Sequence, residues 1–206
     1  MSVLQVTRTG STAVLTMNRP TARNALDLSL RAAFAEAIPA LRDDATVRVI
    51  VLTGAEGHFC AGGDIRAMGG GEGNPDIFEG RTRILAMHRW FDELVDLEKP
   101  VIAAVDGVAF GAGLSLALAA DFVLATPRAS FCSVFARIGY VPDLGGLSLL
   151  PRAVGLSRAK ELAFSARVVQ AREAVEIGIA HRVVEGSPVL DAALEAAGMD
   201  RSRVYV

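Results

Sequence analysis

The sequence predicts an α/β fold with a layered core, and three observations carry that prediction. Residues 47–53 (VRVIVLT) and 101–105 (VIAAV) are near-continuous apolar runs rich in β-branched residues, as expected of strands buried on both faces of a parallel sheet. Segments 26–41 and 77–97 instead repeat their apolar residues at helical spacing. Each buried run opens into a glycine-rich loop. Parallel neighbours need a crossover, and helices between the runs supply it.

Composition narrows the class. The 206 residues are 51% hydrophobic, enough apolar material for a sizeable core. No Pro/Ser-rich linker divides them, so one domain spanning residues 1–206 is expected. A formal net charge of −2 argues against a nucleic-acid partner. Cys60 and Cys132 make no disulfide framework and suit buried thiols in a reducing compartment. The start, MSVLQVTRTG, lacks the basic head and long apolar core of a signal peptide. The longest apolar region, 101–125, carries Asp106, Asp121 and several glycines, which fits a buried core segment and not a membrane span. A soluble cytoplasmic protein is expected.

Taken in order, residues 4–9 and 13–17 alternate apolar and polar around Gly10-Ser11 and predict a β-hairpin. Asn18-Arg19-Pro20 ends it. The 26–41 helix is expected to take Asp27 or Ser29 as its cap and to kink or stop early at Pro39. The strand over 47–53 leads into the loop GAEGHFCAGGD, 54–64, and a short helix is expected from Ile65 to Met68. GGGEGN, 69–74, predicts a mobile loop. The helix over 77–97 aligns Ile84, Met87, His88, Phe91, Leu94 and Val95 on one face.

The strand over 101–105 then turns through Gly107, Gly111 and Gly113 into an Ala/Leu helix, 114–120. Strands are predicted at 122–125 and 129–132, a helical turn at 133–138 and a loop at 139–146. Helices follow over 147–154, over 158–165 with Ser157 as cap, and over 171–177 ending at Gly178. A short strand, 181–184, and a helix, 188–197, complete the series.

The two glycine loops are where chemistry is expected. Parallel strands side by side bring them together at the carboxyl edge of the sheet, where α/β folds bind ligands. Each loop can present a backbone N–H to a shared point, which makes a two-donor oxyanion hole. Either loop alone is a tight turn. Gly111-Ala112-Gly113 lacks the third glycine of a dinucleotide fingerprint, and no phosphate-binding P-loop occurs.

The motifs in sequence are Arg19-Pro20, Arg23-Asn24-Ala25-Leu26, Phe59-Cys60-Ala61-Gly62-Gly63-Asp64-Ile65, Lys99-Pro100 through Asp106-Gly107, Gly111-Ala112-Gly113, Ala120-Asp121, Pro142-Asp143, Gly145-Gly146 and Leu150-Pro151-Arg152. In this order they resemble the crotonase family, the enoyl-CoA hydratases and isomerases, over residues 3 to about 184. The resemblance implies a crotonase-like spiral of ββα turns followed by helices, with the C-terminal helical part, 185–206, shortened. It implies a homo-oligomer, a trimer or hexamer, that binds an acyl-CoA thioester, with coenzyme A as part of the substrate and no separate cofactor.

By the same resemblance, the N–H groups of Gly63 and Ala112 would polarise the thioester oxygen. Arg23, Ala25, Ala61 and Gly62 would line the CoA nucleotide, and Asp64 and Ile65 the pantetheine arm. The family's hydratases carry two glutamates, at positions that are here Ser115 and Phe135. Neither is a carboxylate. Asp143 remains, in a loop that faces the acyl chain in the family. The segment from Phe131 to Asp143 is most similar to the ring-opening isomerases of phenylacetyl-CoA degradation, which rely on that aspartate.

The expected activity is therefore an enoyl-CoA isomerase in which Asp143 removes an α-proton and returns it at the γ-carbon. An apolar surround including Phe135 is expected to raise the carboxyl's pKa. The alternatives are an enoyl-CoA hydratase and a non-catalytic acyl-CoA binder. His58, His88 and His181 are scattered, so no metal is expected. Ser115 is expected to bond back to its own helix. Met87, Trp90 and Phe91 are expected to be core, and Arg81, Arg83 and Arg89 a solvated face.

Overall fold

The structure, a computed structural model, describes residues 2–65, 77–186 and 188–198. Strands β1 (Leu4–Thr9) and β2 (Thr12–Met17) form the expected hairpin, antiparallel with Thr9 opposite Thr12. The chain continues through α1 (Leu28–Asp43), β3 (Val49–Gly54), α2 (Ile77–Val95), β4 (Val101–Val105), β5 (Val108–Phe110) and α3 (Ala112–Leu118). Then come β6 (Phe122–Ala125), β7 (Ser130–Cys132), a 3₁₀ turn at Val134–Ile138, α4 (Gly146–Val154) and α5 (Leu156–Ser165). Strand β8 (Val169–Gln170), α6 (Ala171–Ile177), β9 (Arg182–Val183) and α7 (Val189–Gly198) follow.

The strands form two sheets. The larger has the order β1-β2-β3-β4-β6-β9 and is parallel from β2 onward. The smaller has the order β5-β7-β8, with β5 and β7 parallel. The chain visits the two sheets alternately: β4 then β5, β6 then β7. Two isolated bridges, Leu26 with Gly63 and Cys60 with Ala109, carry the smaller sheet's pairing back through the earlier turns. The result is a spiral whose successive turns stack backbone on backbone.

The near-continuous apolar strands are explained by burial on both faces. Ile50, Leu52, Ala103 and Val105 face the main core with α1, α2 and α3. Val49, Val51, Ile102 and Ala104 face the opposite side, where α7 lays Val189, Ala192, Ala193 and Ala197 over them. The α1–α2 pair closes the main core with Phe34 stacked on Trp90, ring centroids 4.9 Å apart.

Several motif residues prove to be fasteners. Asp121 Oδ2 accepts the Val101 N–H at 2.7 Å and fixes the start of β4. Lys99 Nζ donates to the Leu41 and Asp44 carbonyls at 2.5 and 2.7 Å. That bond explains why α1 runs past Pro39 to Asp43: its last carbonyls are satisfied, and Ile38 and Leu41 are buried. Asp27 is the cap, accepting the Leu30 N–H at 2.8 Å.

The structure corrects two helix starts and one buried face, and adds two strands. Helix α3 begins at Ala112 and not at residue 114. Helix α5 begins at Leu156, so Ser157 lies inside its first turn and caps nothing. On α2, Ile84 and Val95 are exposed while Trp90 is buried, so the core stripe is Met87, Trp90, Phe91 and Leu94. Strands β5 and β8 add pairing that the sequence did not predict. The expected loop at 69–74 and the helix beyond Ile65 lie outside the described residues, as do 199–206. No described helix is long and apolar enough to cross a membrane.

Candidate active site

The site begins with residues 19–26, folded into a knot against residues 58–64. Arg23 and Asn24 both adopt left-handed backbone conformations, φ 49° and 58°. Asn24 is fully buried and pins the turn. Its Oδ1 accepts the Arg19 N–H at 2.8 Å, and its Nδ2 donates to the Ala55 and His58 carbonyls at 3.0 and 2.6 Å. The two segments then pair. Ala61 N–H donates to Arg23 O at 3.0 Å, Leu26 N–H to Gly62 O at 2.8 Å, and Asp64 N–H to Leu26 O at 3.2 Å.

This brings Arg23, Ala25, Ala61, Gly62, Gly63 and Asp64 together. Arg23 is exposed and Ala25 buried. Ile65 is 60% exposed at the rim. The Asp64 carboxylate is engaged: Arg19 Nη2 meets it at 3.0 Å, while Arg19 Nε meets Asp27 at 3.1 Å and Nη1 donates to Ala25 O. Arg19 thus clamps the loop carrying Gly63 to the cap of α1.

The second glycine loop is zipped to the first. Cys60 N–H donates to Val108 O at 2.9 Å, and Phe110 N–H returns to Cys60 O at 3.0 Å. The approach is too close for a side chain. A Cβ on Gly113 would lie 2.2 Å from Cys60 O, and one on Gly62 would lie 2.7 Å from Phe110 O and 3.5 Å from the Ala112 nitrogen. Gly63 and Ala112 each sit three residues beyond the paired Cys60 and Ala109. Leu26 bonds to the groups flanking Gly63, which turns the Gly63 N–H away from that ladder. Ala112 is the first residue of α3, so no carbonyl of its own helix can accept its N–H. Among the described residues, neither amide has a backbone acceptor. Two amides, one from each of the paired loops, are thus left without a backbone acceptor among the described residues.

Asp143 lies in the loop before α4. Its backbone carbonyl accepts the Gly146 N–H at 2.8 Å and the Ser115 hydroxyl at 3.3 Å. Leu144, fully buried at φ 44°, and Gly145, φ 70°, hold the turn. The carboxylate Oδ1 is buried with no hydrogen-bond partner among the described residues. Burial pushes the carboxyl above its ordinary range, as expected, while nearby His88 and Arg31 pull the other way. Phe135 is buried beside the head of α3, its ring 3.7 Å from where a Cβ on Gly111 would lie. The described residues therefore offer an apolar wall at Phe135, two amides without backbone acceptors and a part-buried carboxyl whose charged form burial disfavours.

The remaining candidates sort by contact. Met87, Trp90 and Phe91 are core, as predicted. Ser115 does not bond back to its own helix: Gly111 O already takes the Ser115 N–H at 3.1 Å, and the hydroxyl crosses to Asp143. His58 is half-buried against Gly107, and His181 Nδ1 accepts the Val123 N–H at 3.0 Å. Burial pushes the Cys60 thiol up to about 12. Among the described residues, no group of three or more His, Cys, Asp or Glu is arranged to hold a metal. Sequence reasoning missed Arg19 and Asn24 as organisers. An asparagine directly before the apolar Ala25-Leu26 was the available signal for Asn24. Nothing in the sequence pointed to His88 and Arg31 beside Asp143.

The sequence profile of the family described as enoyl-CoA hydratase/isomerase matches residues 7–199. A carnitinyl-CoA dehydratase of Proteus mirabilis is 40% identical over 195 residues, covering 94% of this chain and 72% of that protein. The carnitinyl-CoA dehydratase of Salmonella paratyphi A is 41% identical over 200 residues, with the same coverage. Among solved structures, an enoyl-CoA hydratase/isomerase from Cupriavidus metallidurans superposes with TM-score 0.87 at 42% identity, covering 95% of this chain and 72% of that one. An enoyl-CoA hydratase from Bacillus anthracis gives 0.89 at 32% identity, covering 95% and 75%.

Proposed function

This chain belongs to the enoyl-CoA hydratase/isomerase (crotonase) family, and from that premise we propose that it moves a double bond in an enoyl-CoA thioester by proton transfer. The observation that carries the proposal is the Asp143 carboxylate. Among the described residues its buried oxygen has no partner, while Ser115 and Phe135, at the head of α3, can ionise to no base.

In this reading the thioester oxygen accepts from the Gly63 and Ala112 amides. Their attraction grows as negative charge moves onto that oxygen, so they stabilise the dienolate more than the ground state. Asp143 takes the α-proton, the electrons delocalise across the conjugated system, and the same carboxyl returns the proton at the γ-carbon. The proton inventory closes with one residue, and general-base catalysis of this type contributes roughly 10²–10⁴-fold. The CoA moiety runs along Arg23, Ala25, Ala61 and Gly62, with Asp64 and Ile65 beside the pantetheine arm. The protein is taken to act in the cytoplasm as a homo-oligomer.

A second reading is favoured by the relatives named carnitinyl-CoA dehydratase: removal of water from a β-hydroxyacyl-CoA. That reaction needs a proton for the departing hydroxide as well as a base for the α-proton. One experiment separates the readings. Enoyl-CoA positional isomers and 3-hydroxyacyl-CoAs are incubated with the protein, and products are read by mass and double-bond position. A shift in double-bond position without change of mass, abolished by Asp143→Asn with acyl-CoA binding retained, supports isomerisation. Gain or loss of water supports the second reading. Binding with no turnover of any substrate overturns both and leaves an acyl-CoA binder.

A further inference from the structure

We propose that Ser115 is a positioning residue for Asp143, fixing the carboxylate relative to the Ala112 amide. The inference rests on the reading of Asp143 as the base. Three observations support it. The Ser115 hydroxyl is buried, and it bonds out of its helix to the Asp143 carbonyl at 3.3 Å. Ser115 lies one turn after Ala112 on α3, so a single turn of helix separates the tether from the amide. Gly146, the other donor to the Asp143 carbonyl, also abuts the Ser115 oxygen: a Cβ there would lie 3.5 Å from it.

The carboxylate is placed by its own backbone. Its buried Oδ1 has no partner among the described residues, and the carboxyl bonds to the N–H of its own residue, so its location follows from where the backbone of residue 143 is held. That backbone sits in a turn with two consecutive left-handed residues, Leu144 and Gly145. Such a turn keeps its shape only when its surroundings determine it. The Ser115 hydroxyl supplies the determination from the side of α3. Without it, the proton acceptor and the oxyanion donor lose their common reference, and a small misplacement of a reacting group is costly in rate.

The test compares Ser115→Ala, Asp143→Asn and the double variant in double-bond isomerisation, with thermal stability and acyl-CoA affinity measured alongside. Alanine suits a helix interior, so the single variant is expected to fold. The expected result is a kcat lower by roughly tenfold to hundredfold, with KM within about twofold and Tm unchanged. On the residual rate left by Asp143→Asn, measured at high enzyme concentration, the same change should cost nothing further. An unchanged kcat, a loss confined to KM, or an equal loss in both backgrounds overturns the proposal. Full activity of Asp143→Asn alone overturns the functional reading itself, and is seen without touching Ser115.

Discussion

The carbonyl oxygen of Cys60 lies 2.2 Å from the point that a Cβ on Gly113 would occupy. Both partners are backbone, so neither can swing aside. Gly113→Ala must part the two loops and strain the bond from Phe110 N–H to Cys60 O. The expected cost is about 1–3 kcal/mol or more. The Ala112 amide next door would move with it. Thermal denaturation and kcat, measured on the same preparation, should fall together.

Asp143 couples stability to pH. Burial holds its carboxyl above the ordinary value of 3.8, against the pull of His88 and Arg31. The folded state then keeps this proton after the unfolded chain has released it. Stability due to this group falls as pH rises from the ordinary value through the raised one, and levels off above it. Asp143→Asn carries no charge at any pH and should lose this decline. Its Tm at neutral pH is expected to exceed the parent's while turnover disappears. Melting curves from acid to neutral pH check the sign, and parallel curves for the two proteins would assign the decline elsewhere. The acid limb of kcat/KM should also lie above the range of an ordinary carboxylate.

Arg19 joins Asp27, Asp64 and the Ala25 carbonyl through three nitrogens. A lysine has one point of charge and cannot span them. Arg19→Lys is expected to cost about 1–3 kcal/mol in chemical denaturation. KM for the thioester should rise, because the Gly63 loop loses its clamp to α1. Pairing Arg19→Ala with Asp64→Asn should recover part of the stability, since the charge that Arg19 balances is removed. Failure of that recovery would show that the ion pair contributes little.

Both cysteines are buried, and burial raises the Cys60 thiol to about 12 and lifts the Cys132 thiol too. Thiolate is the reactive form. The native protein should therefore leave a disulfide reagent uncoloured at mildly alkaline pH. In denaturant, both thiols should react. Rapid titration of either in the native protein would mean that its site opens.

The sequence exposes the spiral unevenly. β3 and β4 are legible because burial on both faces forces unbroken apolar runs, and α1 because its stripe repeats over four turns. β5 and β8 are not legible. They have three and two residues, and what makes them strands is pairing with β7, from a different turn of the chain. The two loops were readable as a pair because neighbouring parallel strands must deliver them to one edge. The surroundings of Asp143 were not, since His88 and Arg31 arrive on helices far away in sequence. Ser115 shows the limit most clearly. Local geometry favours a bond to its own helix, and only the folded loop offers the Asp143 carbonyl instead.

The pairing of Cys60 with Ala109 has a last implication. Gly63 and Ala112 each stand three residues beyond that pair, on backbone segments that it brings side by side. The gap between the two donors is thus gauged by main-chain bonding, with Gly62 and Gly113 leaving room for the close approach and Arg19 and Asn24 holding the Gly63 loop in place. In the proposed reading, polarisation of the carbonyl comes with the coil itself, and the choice of what happens next belongs to a handful of side chains on α1, α2, α3 and the 141–146 loop. Those can be exchanged without retuning the gauge, so one scaffold can pass from one thioester reaction to another by a few substitutions.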